Sequence, residues 1–157
     1  MAQPTIDADA PLFTRRYVNL ADARLGAQAL ACSDDFFAAM ARMLNPDAAV
    51  FVPGKYDTNG KWMDGWESRR KRVPGHDWAI IQLATPGSIK GFDIDTNFFL
   101  GNHPPHASVE AIYINDPSTI TDWENQPWEE ILGKSHLDAG SQNFYTCQTE
   151  KVFTHLR

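Results

Sequence analysis

The chain has 157 residues, 43% of them apolar and 22% charged, with a formal net charge of −6. This length fits one domain with a single core, and the composition excludes a disordered chain. The acidic balance argues for solubility and against general nucleic-acid binding, and no apolar run reaches the length of a membrane-spanning helix.

The opening MAQPTIDADAPLF carries acids and no basic segment ahead of an apolar stretch, so it is not a signal peptide. Residues 1–16 read as a loose leader, with the domain proper over 17–157. Residues 19–31 carry Gly26 and mixed polarity and predict no particular element. Ser33-Asp34-Asp35 ahead of Phe36, Phe37, Met40, Met43 and Leu44 predicts a capped helix of about three turns, ended by Asn45-Pro46. Residues 49–52 read as a short strand, stopped by Pro53-Gly54. Residues 55–75 read as a loop that Trp62 and Trp66 must anchor, because tryptophan is costly to leave in water.

Residues 78–83 predict a strand ended by Pro86-Gly87. A second strand follows over 88–96, then a turn-rich loop over 97–107, then a return strand over 108–114. Residues 123–132 are polar, with Trp123, Trp128, Ile131 and Leu132 as anchors. Residues 143–147 and 151–156 read as two last strands. Short strands at near-regular spacing with one short helix predict an all-β fold, a β-sandwich or jelly roll. Val152, Thr154 and Leu156 alternate up to Arg157 with no closing partner after them. That predicts a partly unpaired edge strand, or one that pairs with another chain, in a piece of a longer protein.

Three groups of residues could carry chemistry. In Phe92-Asp93-Ile94-Asp95 the acids share one strand face, and Glu110 repeats the pattern on the return strand. Clustered carboxylates can hold different protonation states, which would supply a general acid and a general base. The plainer reading is a solvated strand face. Arg69-Arg70-Lys71-Arg72 is a solvated charge run, or an anion site in which arginine offers a planar fork to a carboxylate, with Lys61 nearby. His76, His103 and His106 lie in loops. The prolines of His103-Pro-Pro-His106 force an extended path, and no third or fourth ligand is evident, so no metal is expected. Cys32 and Cys147 fall at no metal or redox spacing and read as free thiols in a reducing cytoplasm. No nucleophile elbow, P-loop or dinucleotide fingerprint is present.

Three stretches, GKWMDGWESRRK (60–71), DWAIIQLATPGSIKGFDIDTNFFLGNHPPHASVEAI (77–112) and WEEILGKSHLDAGSQNFYT (128–146), together with residues 19–39, closely resemble the allantoicase family. The resemblance covers 17–157 and implies two tandem jelly-roll repeats similar to galactose-binding sandwiches. This chain is similar to the first, lacking its closing strand. It implies hydrolysis of allantoate to ureidoglycolate and urea in purine breakdown. The residues themselves point to no cofactor. Within the matching blocks, residue chemistry suggests Asp93, Asp95 and Glu110 for acid–base work and Arg69 or Arg70 for the substrate carboxylate. Lys61 and Asn102 are further binding candidates. The expected partners are allantoate, the second repeat and further copies of the protein; nucleic acid and membrane are not expected. The rival expectation is a non-catalytic ligand- or carbohydrate-binding jelly roll, which would show Trp62, Trp66 or Trp123 on a flat exposed platform.

Overall fold

The structure, a computed structural model, describes residues 10–157. The leader expected over 1–16 lies mostly outside these. Its described part includes a one-turn helix, α1 (Phe13–Arg16), whose Phe13 ring meets Phe144 edge-on, centroids 6.4 Å apart.

The described strands are β1 (Gln28–Cys32), β2 (Tyr56–Asp57), β3 (Gly60–Lys61), β4 (Ala79–Gly87), β5 (Gly91–Asp95), β6 (His106–Ile112), β7 (Glu129–His136), β8 (Gln142–Thr146) and β9 (Phe153–Leu156). Five of them form one antiparallel sheet in the order β1-β4-β9-β6-β7. β5 and β8 form a second sheet, and β2 and β3 a small hairpin. Leu83, Ala111, Phe153 and Leu156 of the large sheet bury against Ile89 and Cys147, and Phe92 of β5 packs on this cluster. The fold is thus an all-β sandwich. Apolar residues alternating along β5 and β6 supply its shared interior, and burying them is the main favourable term.

Three expectations are corrected. Residues 33–44 form no α-helix; only the 3₁₀ turn Met40–Leu44 is helical. The polar residues that promised a cap bind elsewhere. Ser33 Oγ donates to Asp77 Oδ1 at 2.8 Å and accepts the Trp78 N–H at 2.9 Å. Asp34 accepts the Phe36 and Arg69 N–H groups, and Asp35 accepts that of Met40. Ala38 meanwhile pairs antiparallel with Glu67. Local side-chain bonds and a distant strand bridge outcompete the helix.

The second correction concerns residues 151–157. β9 is the central strand of the large sheet, not an edge. It pairs with β4 on one side and β6 on the other, and Arg157 and Glu110 exchange both backbone hydrogen bonds at 2.8 Å. Phe153, His155 and Leu156 are all buried, so both faces of the strand are covered. Third, residues 49–52 are irregular, the Val50 N–H being taken by the Asp64 carboxylate. β4 also runs on through Pro86, which falls where its pairing with β9 shifts register and no ladder N–H is required.

Candidate active site

At one end of the sandwich the β2–β3 hairpin, residues 62–68 and the loop after β5 enclose an open cleft of ≈ 340 Å³. Lys61, Glu67 and Asn102 are its polar walls, and Phe37, Phe98 and Leu100 its main apolar ones.

Each wall is fixed by local bonding. Glu67 and Ala38 exchange N–H···O bonds at 3.1 Å in both directions. Trp66 Nε1 donates to the Asp34 carbonyl at 2.8 Å, and Arg42 donates to the Met63 carbonyl at 2.9 Å. The tryptophan-rich loop is therefore clamped to the body. Opposite it, Asp95 Oδ1 accepts the Asn97 N–H at 2.7 Å and starts the turn. Thr96 Oγ1 donates to the Asp138 carbonyl at 2.6 Å, and Gly140 N–H to the Phe99 carbonyl at 3.2 Å. Between these ties Phe98 takes a left-handed backbone, φ 69°, alone among the described non-glycine residues. Bulky residues hold that conformation only where their surroundings impose it. Phe98 stacks on Phe51 at 5.9 Å, and Lys61 Nζ sits 4.7 Å from the centre of the Phe51 ring.

Asn102 Nδ2 donates to Glu67 Oε1 at 2.8 Å. Burial pushes the Glu67 carboxyl above the usual carboxylate range. The Asn102 bond pulls it back in part, and the negative charge of Asp57 adds to the rise. The cleft thus brings together a lysine, a carboxyl held above the usual carboxylate range, and an amide.

Of the residues suggested by sequence, Lys61 and Asn102 meet here. Arg69 is tied to Asp34 through Nε at 2.7 Å and Nη2 at 2.5 Å, and those bonds draw Asp34 down to about 2. Arg70 is exposed. The three acids do not share a face. Phe92 and Val109 both pack on the core, from different sheets, so Asp93 and Asp95 lie on the outer face of one and Glu110 alternates outward on the other. Glu110 is gripped by Arg157, Nε to Oε1 at 3.1 Å and Nη2 to Oε2 at 2.9 Å. Asp93 accepts from Gln142 Nε2 at 2.8 Å. Neighbouring protein desolvates its carboxyl and pushes it up to about 6, Asp95 adding repulsion, although the residue as a whole stays exposed.

Glu67 is the residue that sequence reasoning passed over. Its signal was its place between two anchoring tryptophans and a basic run, in a loop that could not be mobile. His103 sits beside the cleft's Asn102, its Nδ1 buried without a partner. Among the described residues no cluster of three His, Cys, Asp or Glu side chains is placed to hold a metal. The tryptophans form no platform. All five are half-buried, Trp62 lies under Lys55 and Arg42, and the Trp123 ring packs tilted against His155, centroids 4.9 Å apart.

The allantoicase-repeat family model matches residues 18–157. "Probable allantoicase 1" of Burkholderia mallei is 56% identical over the whole chain, and "Probable allantoicase" of Ralstonia nicotianae is 52% identical. The chain spans only 46% of the length of each. Two solved structures, one titled "Structure of allantoicase" and the other the Saccharomyces cerevisiae allantoicase, superpose with TM-scores of 0.78 and 0.77 at 31% identity. Each superposition covers 88% of this chain and 42% of the other.

Proposed function

The chain belongs to the allantoicase family, and from that premise we propose that it takes part in hydrolysing allantoate to ureidoglycolate and urea in purine degradation. In this reading it is one repeat of a two-repeat enzyme of the cytoplasm that assembles as a homo-oligomer. Allantoate is a small anion whose central carbon bears a carboxylate and two ureido groups. A site for it needs a cation, an amide-like hydrogen-bonding group and an acid–base group within one small volume. The convergence of Lys61 on β3, Glu67 in the segment just after it and Asn102 from the distant loop after β5 on one cleft carries this reading. Lys61 is assigned to the carboxylate and Asn102 to a ureido arm, with Phe98 and Leu100 as the apolar wall beside them. A sugar-binding module is less well supported, because its tryptophans would need to stand exposed and here they are half-buried.

The test is urea release from allantoate by the chain alone and by the chain joined to a second repeat. Lys61→Met and Asn102→Ala should each raise the Michaelis constant or lower the rate by roughly tenfold or more, since a charge-assisted contact contributes about 1.5–3 kcal/mol. Unchanged kinetics in both would refute the site. A comparable loss in Arg70→Lys alone would move the carboxylate contact to the basic run.

A further inference from the structure

We propose that Glu67 is the catalytic acid of this cleft: it gives its proton to the departing urea and then takes one from the attacking water. The proposal rests on the allantoate reading above and adds to it the group that carries the proton.

Position is the first argument. Glu67 is the one carboxyl among the cleft-lining residues, with Lys61 and Asn102 lining the same space. The second is how its oxygens are used. Oε1 accepts from Asn102, whereas Oε2 has no protein donor among the described residues. Among the described residues no cation pairs with the group. By contrast Asp22, Asp34, Asp77, Glu110 and Glu129 are each held by an arginine or lysine. The third is rigidity. The backbone bonds to Ala38 fix the residue on the wall, so the carboxyl need not be ordered when substrate arrives. The charged groups facing it are Lys61 on β3 and Asp57 on β2. Burial, and to a lesser degree Asp57, shift the carboxyl toward the acid form against the opposing pull of the Asn102 bond, which is the direction a proton donor requires.

The chemistry calls for such a group. Breaking the bond from the central carbon to one ureido nitrogen sends the electron pair to that nitrogen. A urea anion is a poor leaving group, so the proton must arrive as the bond breaks, and Glu67 supplies it. The lone pair of the remaining ureido nitrogen forms a double bond to the central carbon, leaving an N-acyl iminium ion beside the ionised Glu67. Water adds to that carbon, and its surplus proton returns to Glu67. The sum is allantoate plus water giving ureidoglycolate plus urea, with Glu67 restored.

The experiment compares the parent with Glu67→Gln and Glu67→Asp in the protein carrying both repeats. Gln keeps the size and can still meet Asn102, but it cannot donate an acid proton. The rate should fall roughly 10²–10⁴-fold in Glu67→Gln, with the Michaelis constant changed by less than about threefold. Glu67→Asp should recover part of the rate. The parent rate should decline as pH rises through the Glu67 titration, and Glu67→Gln should lack that limb. Carboxyl ¹³C NMR of the parent chain gives a reading independent of turnover, expected to show Glu67 titrating above an ordinary glutamate. A titration at or below the ordinary glutamate value overturns the proposal. So does a Glu67→Gln variant that keeps the parent's rate and pH profile while the parent releases urea. If the parent releases none, the allantoate reading falls and this role with it. Loss of fold is separable, because Glu67→Gln should melt no lower than the parent near pH 8. A carboxyl raised by burial costs stability once pH passes its ordinary value, and the amide does not.

Discussion

His155 offers a substitution that should remove a buried polar side chain at little or no cost. It lies on β9 with 1% of its surface exposed. Nδ1 is 2.7 Å from Thr154 Oγ1, the ring lies 4.9 Å from that of Trp123, and Nε2 is buried with no partner. Whichever tautomer is present, one ring nitrogen is left without its bond. Replacing His155 with leucine, of similar bulk, relieves a desolvation cost of about 1–3 kcal/mol. Against this, the Thr154 bond is lost at about 0.5–1.5 kcal/mol, and the ring contact with Trp123 at about 0.5 kcal/mol. Thr154 Oγ1 keeps the Ile114 N–H at 2.8 Å, so no second orphan is created. The sum runs from about −1 to about +2 kcal/mol, centred near 0.5 kcal/mol in favour of His155→Leu. Burial also holds the imidazole below its ordinary value of 6.5. The unfolded chain therefore binds a proton that the folded one resists. This part of the stability is full above pH 6.5 and is lost as pH falls below it, by at most about 1.4 kcal/mol per pH unit. Urea denaturation at pH 7.5 and pH 5 measures both effects. The variant should match or exceed the parent at pH 7.5, and the gap should widen in its favour at pH 5. A loss of more than about 2 kcal/mol at pH 7.5, or an unchanged pH dependence, would refute the reasoning.

Two further substitutions probe the packing. Asp93 is raised from 3.8 to about 6, so its contribution disfavours folding progressively as pH rises through that window and fully above it. Asp93→Asn should be more stable than the parent at pH 7.5 and indistinguishable from it at pH 3.5, by urea denaturation. Because the residue is exposed and screened, the gain should be at most about 1 kcal/mol. Gly91→Ala would set a methyl 2.5 Å from the Phe13 ring. It should cost about 1–3 kcal/mol by the same assay, with most of that loss absent when Phe13→Ala is present too.

The sequence was legible where one periodicity governed. The alternation in Phe92–Asp95 and in Val109–Ala111 gave both strands and their inward faces, and the all-β class followed from the spacing of such runs. It misled where one pattern serves two structures. Ser33-Asp34-Asp35 can cap a helix or tie a loop to residues far along the chain, and the distant partners Glu67, Arg69 and Trp78 decided between them. Alternation in Val152–Leu156 marks a strand but not its neighbours, so a central strand read as an edge. At the candidate site, Lys61 and Asn102 stood out by chemistry and by their blocks. Glu67 did not, because what distinguishes it is burial and the absence of a cation, and both are properties of the fold. The acids stood out by number, yet strand alternation says only that they avoid the core and not that two sheets turn them the same way.

The place of β9 has a consequence for how the molecule is made. β4 and β6 are not hydrogen-bonded to each other; residues 153–156 lie between them and join the two sides of the sheet. β9 is the last of the described strands in chain order, so β4 and β6 cannot be joined through it before all the others have been made. Closure across such sequence distances is slow, and open strand edges invite wrong partners. Until β9 is in place, the facing edges of β4 and β6 are where a wrong strand could add.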